Sequence, residues 1–176
     1  MRIIRQFIFI SFLCILTSLV FGQTGSFPDK WQGKWKGELL WYQQGFNEPK
    51  RVGMQLTITK ADGFYHWLLV YENNSRDTRP YKLVPANIDK GHWKIDEDNG
   101  IVIDMYYVAD RLAGSFTVGS SSILTSYWLE DDNLIVEFYN TSPTPISITG
   151  EKTDASPEVK SFFVKSYQKA ILSRQR

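Results

Sequence analysis

Between Val52 and Thr59 the chain alternates without a break, with Val52, Met54, Leu56 and Ile58 set against Gly53, Gln55, Thr57 and Thr59. A period of two puts one side of an extended chain in a core and the other in solvent. Asp62-Gly63 then turns the chain into Phe64 to Glu72, apolar on both faces and expected to be buried on both. Asn73 to Thr78 reads as a polar loop, and Arg79 to Val84 and His92 to Ile95 as short strands. Asp98-Asn99-Gly100 marks a hairpin, because Asn-Gly supplies the positive φ angles of a type I′ turn. Further apolar runs cover Ile101 to Val108, Leu112 to Val118, Ile123 to Leu129 and Leu134 to Tyr139. Pro143 and Pro145 confine the last strand to Ile146 to Thr149, since proline has no N–H to give a ladder. Roughly eight to ten strands at about 8–12-residue spacing, with no helix between them, predict an all-β antiparallel meander, a barrel or a sandwich.

After Gly150 the pattern changes. Ser156-Pro157-Glu158 offers an N-cap, a first-turn proline and an acid suited to a helix N-terminus. Val159, Phe162, Phe163, Ser166, Tyr167, Ala170 and Ile171 then follow the i, i+3, i+4, i+7 rhythm. This predicts an amphipathic C-terminal helix packed outside the sheet.

The N-terminus predicts an address. Arg2 and Arg5 precede about 15 apolar residues from Phe7 to Phe21, short of the ~20 needed to span a bilayer. Val20 and Gly22 suit the −3 and −1 positions of a signal-peptide cleavage site. The expected organisation is a signal peptide over 1–22, a β-barrel over 23–150, and a helix and tail over 151–176 in the same domain. The expected location is secreted or periplasmic, with no membrane anchor after cleavage.

Cys14 is the only cysteine and falls in the leader, so the mature chain has no thiol and must rely on a core. Loss of Arg2 and Arg5 from the 20 basic residues leaves 18 against 19 acidic ones. That near-neutral balance argues against a nucleic-acid partner. His66 and His92 are the only histidines, too few and too far apart for a zinc site. No Gly-x-Ser-x-Gly elbow or glycine-rich phosphate loop occurs. Asp104 and Glu137, set in apolar strands, are the carboxylates an acid/base enzyme would need, but alternation places both on solvated faces.

The stretch Gly33-Lys34-Trp35-Lys36-Gly37-Glu38-Leu39-Leu40-Trp41-Tyr42 carries a resemblance. Trp35, Gly37, Leu39 and Trp41 share one strand face, and a short turn, Ser26 to Trp31, precedes them. Gly33 and Trp35 match the Gly-x-Trp signature, and the chain resembles the lipocalin-like (calycin) superfamily. That resemblance implies an up-and-down barrel of eight to ten strands, its first-strand indole plugging the closed end, and a lumen for a small apolar or amphipathic molecule. The late candidates for stacking are Lys152 and Arg174, neither in a predicted strand, so no arginine is expected to stack on Trp35. The same Gly-Lys-Trp resembles the avidin group, whose Asn, Ser and Tyr network for the biotin ureido group has no residue-by-residue match here.

In such a barrel Arg79 or Tyr81 would fix a polar head group, the arginine through paired hydrogen bonds to a carboxylate. The competing reading pairs Arg79 with a local acid, Asp77 or Glu72, at the rim. Trp41, Trp67, Tyr106 and Tyr127 are the expected aromatic lining, in a chain with six tryptophans. No cofactor is expected. Two other functions fit the same residues: an interaction or carbohydrate-binding module using aromatic surface residues, and an enzyme of unrecognised type.

Overall fold

The computed structural model describes residues 26–73 and 75–176, so the expected signal peptide lies outside the described residues. A 3-10 turn, Asp29–Trp31, leads into ten strands: β1 (Gly33–Gln43), β2 (Lys50–Lys60), β3 (Tyr65–Asn73), β4 (Ser75–Asn87), β5 (His92–Asp96), β6 (Val102–Val108), β7 (Arg111–Val118), β8 (Ser121–Glu130), β9 (Asn133–Thr149) and β10 (Val159–Gln175). Each pairs antiparallel with its sequence neighbours, and β10 pairs with β1 to close the barrel. Closure leaves the sheet without edges over most of its height.

The alternation in β2 is borne out: Val52, Met54, Leu56 and Ile58 are buried and face inward. Inward residues of neighbouring strands line up by register, as in Trp35 with Leu56, Leu56 with Leu69, and Ile58 with Trp67. At the end where β1 begins, Trp31, Trp35, Trp93, Leu83, Leu112, Leu134 and Leu172 fill the interior completely. Phe27 packs edge-on against Trp31 and Trp93 and face-on against Tyr107, at ring separations of 4.8, 5.2 and 4.2 Å. The Trp35 indole N–H donates to the carbonyl of Trp31 at 2.9 Å, tying the preceding turn to the first strand.

The predicted C-terminal helix is not formed. Residues Val159–Gln175 are the extended strand β10, in which Ser166, Ala170 and Leu172 are buried while Ile171 is exposed. The helical spacing read from this segment is also compatible with a strand, because its apolar residues are mostly aromatic or β-branched. The register decides. Without β10, both β1 and β9 would carry an unpaired hydrogen-bonding edge, and β10 satisfies the two together. Gly37 makes the fit possible, since a Cβ there would stand 2.1 Å from the carbonyl oxygen of Ile171.

Two loops are also corrected. The polar segment expected over Asn73 to Thr78 is largely strand, with Asp77 opposite Tyr71 and Thr78 opposite Val70. Pro80 is tolerated because β5 ends at Asp96, opposite Lys82, so β4 has no partner on that side at Pro80. Likewise β9 runs on through Pro143 and Pro145, accommodated by register shifts against β10 around Phe162 and Val164. Beyond Thr141 and before Ser166 these two strands pair only with each other, as a ribbon standing above the rim. The β5–β6 connection is a five-residue loop with positive φ at Asp98 and Gly100, instead of a two-residue Asn-Gly turn.

Candidate functional site: the barrel lumen

The plug fills only one half of the barrel. The other half holds a cavity of about 1160 Å³ that opens at the end carrying the β1–β2, β5–β6 and β7–β8 connections. Leu39, Val52, Leu69, Ile95, Met105 and Phe116 supply aliphatic and aromatic wall. Five of the six ligand residues expected from the sequence are here: Trp41, Trp67, Arg79, Tyr81 and Tyr127. The sixth is not. Tyr106 points outward, 47% exposed, and stacks on His92 at 4.8 Å. One step of alternation separates it from inward-facing Met105, and the doublet Tyr106-Tyr107 gave no sign of which ring turns in.

Alternation along β4 brings Asp77, Arg79 and Tyr81 to the lumen face, beside Tyr71 and Trp67 of β3. Arg79 donates from Nε and Nη2 to a single oxygen of Asp77, at 3.0 and 2.7 Å. Its guanidinium also lies 5.0 Å from the Tyr71 ring centre. The hydrogen bonds from Arg79 hold the Asp77 carboxyl below its usual range, and the same bonds raise the guanidinium pKa further above its ordinary value. Arg79 therefore lines the lumen while paired with the neighbouring acid, the pairing that the competing reading expected. Burial pushes Tyr127 up to about 12, and burial also raises Tyr71 and Tyr81, so all three phenols are neutral hydrogen-bonding groups at neutral pH.

Across the lumen lies a polar group of which sequence reading named only Trp41. Thr125 of β8, Asn140 of β9, Gln168 of β10 and Trp41 of β1 all line the cavity. Trp41 is paired with Gln168, Gln168 with Phe138 and Phe138 with Thr125, so these positions form one row around the wall. Asn140 lies two residues further along the same face as Phe138. The residues are far apart in sequence, and only strand register brings them together.

The other candidate chemistry lies outside the barrel. Asp104 accepts from His92 Nε2 at 2.7 Å on the outer face, and Glu137 accepts from the Tyr167 hydroxyl at 2.6 Å. The two carboxylates sit on β6 and β9 and do not converge on a cleft. Among the described residues no group of three or more His, Cys, Asp or Glu is placed to hold a metal. The tryptophans offer no flat exposed platform: Trp31, Trp35, Trp67 and Trp93 are buried, and Trp128 lies beneath the Arg111 guanidinium at 3.9 Å.

The likeness to known proteins is one of fold. A crystal structure of a protein of unknown function from the DUF3598 family of Nostoc punctiforme superposes with a TM-score of 0.57 at 13% identity. The match covers 82% of this chain and 47% of that one, so this chain spans about half its neighbour's length. No family model and no curated protein matches the sequence. The closed ten-stranded barrel is consistent with a calycin-like fold.

Proposed function

We propose that this is an exported, lipocalin-like binding protein that holds a small apolar or amphipathic molecule in its lumen. The observation that carries the reading is the cavity of about 1160 Å³, blind at one end and open at the other. Small-molecule sites are typically apolar clefts of about 300–1,000 Å³ with a few fixed polar groups, and this lumen has that make-up. The driving force is burial of ligand surface, worth about 25 cal/mol per Å² of apolar area. Export rests on the basic, then apolar, then small-residue pattern of residues 1–22. The test is native mass spectrometry of the chain from Gln23 onward, purified gently from an exporting host. A reproducible adduct of a few hundred daltons, lost on denaturation, is the expected result. Failure to bind any uncharged hydrophobic probe would remove the reading.

A second reading, an interaction or carbohydrate module, draws on one outer-face feature. Tyr42, Tyr167 and Tyr139 form a ladder across β1, β10 and β9, with ring separations of 6.0 and 4.8 Å. Binding to a glycan array that is lost in Tyr139→Ala, with the lumen still able to take a probe, would favour it.

A further inference from the structure

The lumen presents two different polar stations, and they differ in what they have left to offer. At the first, Arg79 is the only basic residue among the described residues of the cavity lining, and its Nε and one Nη2 hydrogen go to Asp77. Glu97 adds a second carboxylate to the lining without an ion-pair partner among the described residues. The charged groups among the described lining residues therefore sum to one negative charge. The remaining guanidinium N–H groups could meet a ligand carboxylate, but it would share the cation with Asp77 and add to the negative charge that Asp77 and Glu97 already bring to the lining.

At the second station nothing is charged and much is unpaired. Trp41 Nε1 and Asn140 Oδ1 are buried side-chain atoms without a hydrogen-bond partner, Thr125 Oγ1 has none but the nearby Tyr127 phenol, and all three residues line the cavity. The indole can only donate, the Asn140 oxygen can only accept, and the hydroxyl does either. A buried polar atom left unpaired costs free energy until something pairs with it. These atoms are complementary to a neutral group that carries an acceptor and a donor together.

We infer that the lumen selects an uncharged, largely apolar molecule whose polar group is of the carboxamide kind, held by Trp41, Thr125 and Asn140 on the wall opposite Arg79. This rests on the lumen-binding reading above and narrows it to a ligand class. The carbonyl accepts from the Trp41 indole and the Thr125 hydroxyl, and the N–H donates to Asn140. The apolar remainder lies against Trp67, Leu69 and Phe116. Arg79 and Asp77 remain paired and guard the mouth against free anions.

The test uses three molecules of equal chain length, dodecanamide, dodecanoate and dodecylamine, competing with the uncharged fluorophore N-phenyl-1-naphthylamine on the mature protein. The amide is expected to displace the fluorophore at about tenfold lower concentration than either charged analogue. Trp41→Phe, which keeps the ring and removes the donor, and Thr125→Val should each shrink that advantage, read as the ratio of amide to dodecanoate displacement concentrations so that any change in fluorophore affinity cancels. Dodecanoate competing as well as the amide would overturn the proposal in favour of an anion at Arg79. Dodecylamine leading would overturn it in favour of a cation held at Glu97. A fluorophore that binds with no ranking among the three removes only the ligand class. One that does not bind at all removes the lumen reading too.

Discussion

Arg174 lies over Trp35, with its guanidinium carbon 4.1 Å from the ring centre, and donates to the carbonyls of Gln32 and Lys30. The contact joins the last strand, the first strand and the turn before it, so it fastens the barrel seam and its plug together. It corrects the expectation that no late arginine reaches Trp35, which depended on leaving Arg174 out of the strands, in the C-terminal helix and tail. Desolvation pulls the guanidinium pKa down while leaving the side chain charged. Arg174→Ala should lower stability by about 1–3 kcal/mol, from a lost cation–π contact and two charged hydrogen bonds. Trp35→Ala should cost ~3–5 kcal/mol. Urea denaturation followed by tryptophan fluorescence checks both, and an unchanged midpoint for Trp35→Ala would sink the plug.

Gly37 is where β1 and β10 come closest. The absence of a side chain there admits the Ile171 carbonyl, and backbone on both sides leaves nothing flexible to give way. Gly37→Ala is expected to destabilise by about 1–3 kcal/mol, the range for overpacking. A thermal melt within error of wild type would show that the seam is looser than this geometry implies.

Tyr127 links stability to alkaline pH. Its phenol titrates near 10 in an unfolded chain and is pushed up to about 12 by burial in the fold. Above pH 10 the unfolded state has released this proton and the folded state has not. The stabilisation is thus fully present below about 10 and is lost as pH rises through about 12. Tyr127→Phe should flatten the decline in urea midpoint between about pH 10 and 12. Equal slopes for the two proteins would place the alkaline transition elsewhere.

Asp77 works in the opposite direction. Its folded pKa is lowered by Arg79, so the pair contributes above the unfolded value of about 3.9 and is lost as pH falls through the folded one. Both side chains are nearly half exposed, and screening keeps the contribution below about 1 kcal/mol. The larger effect is on selectivity. Asp77→Asn releases Arg79 and is expected to strengthen dodecanoate binding about tenfold in fluorophore displacement, as a charge-assisted pair allows. No gain for the acid would show that Arg79 cannot reach a ligand.

Tyr106→Ala is expected to leave fluorophore affinity unchanged, because the ring stands outside the barrel on His92. Tyr81→Ala should weaken it. The reverse order, read by the same titration, would mean the strand β6 is turned the other way.

The strands were legible because one buried face imposes a two-residue rhythm, most plainly in β2. The last strand was not, because Val159, Phe162, Phe163, Tyr167 and Ile171 follow helical spacing, while the residues the strand buries are Ser166, Ala170 and Leu172. What distinguishes them is the need of two distant edges for a partner, which no local window contains. The site divided in the same way. Asp77, Arg79 and Tyr81 are two apart on one strand and could be read as a cluster. Thr125, Asn140 and Gln168 are unexceptional residues singly, and only the register of β8, β9 and β10 makes them neighbours.

The plug of Trp31, Trp35 and Trp93 makes the barrel a vessel with a single doorway. A molecule that enters must leave by the way it came. On the proposed binding role, loading and release would therefore share one rim. The β9–β10 ribbon stands at that rim, with Ile146, Ile148 and Val159 uncovered on it, so a receiver coming from that side would meet the ribbon first.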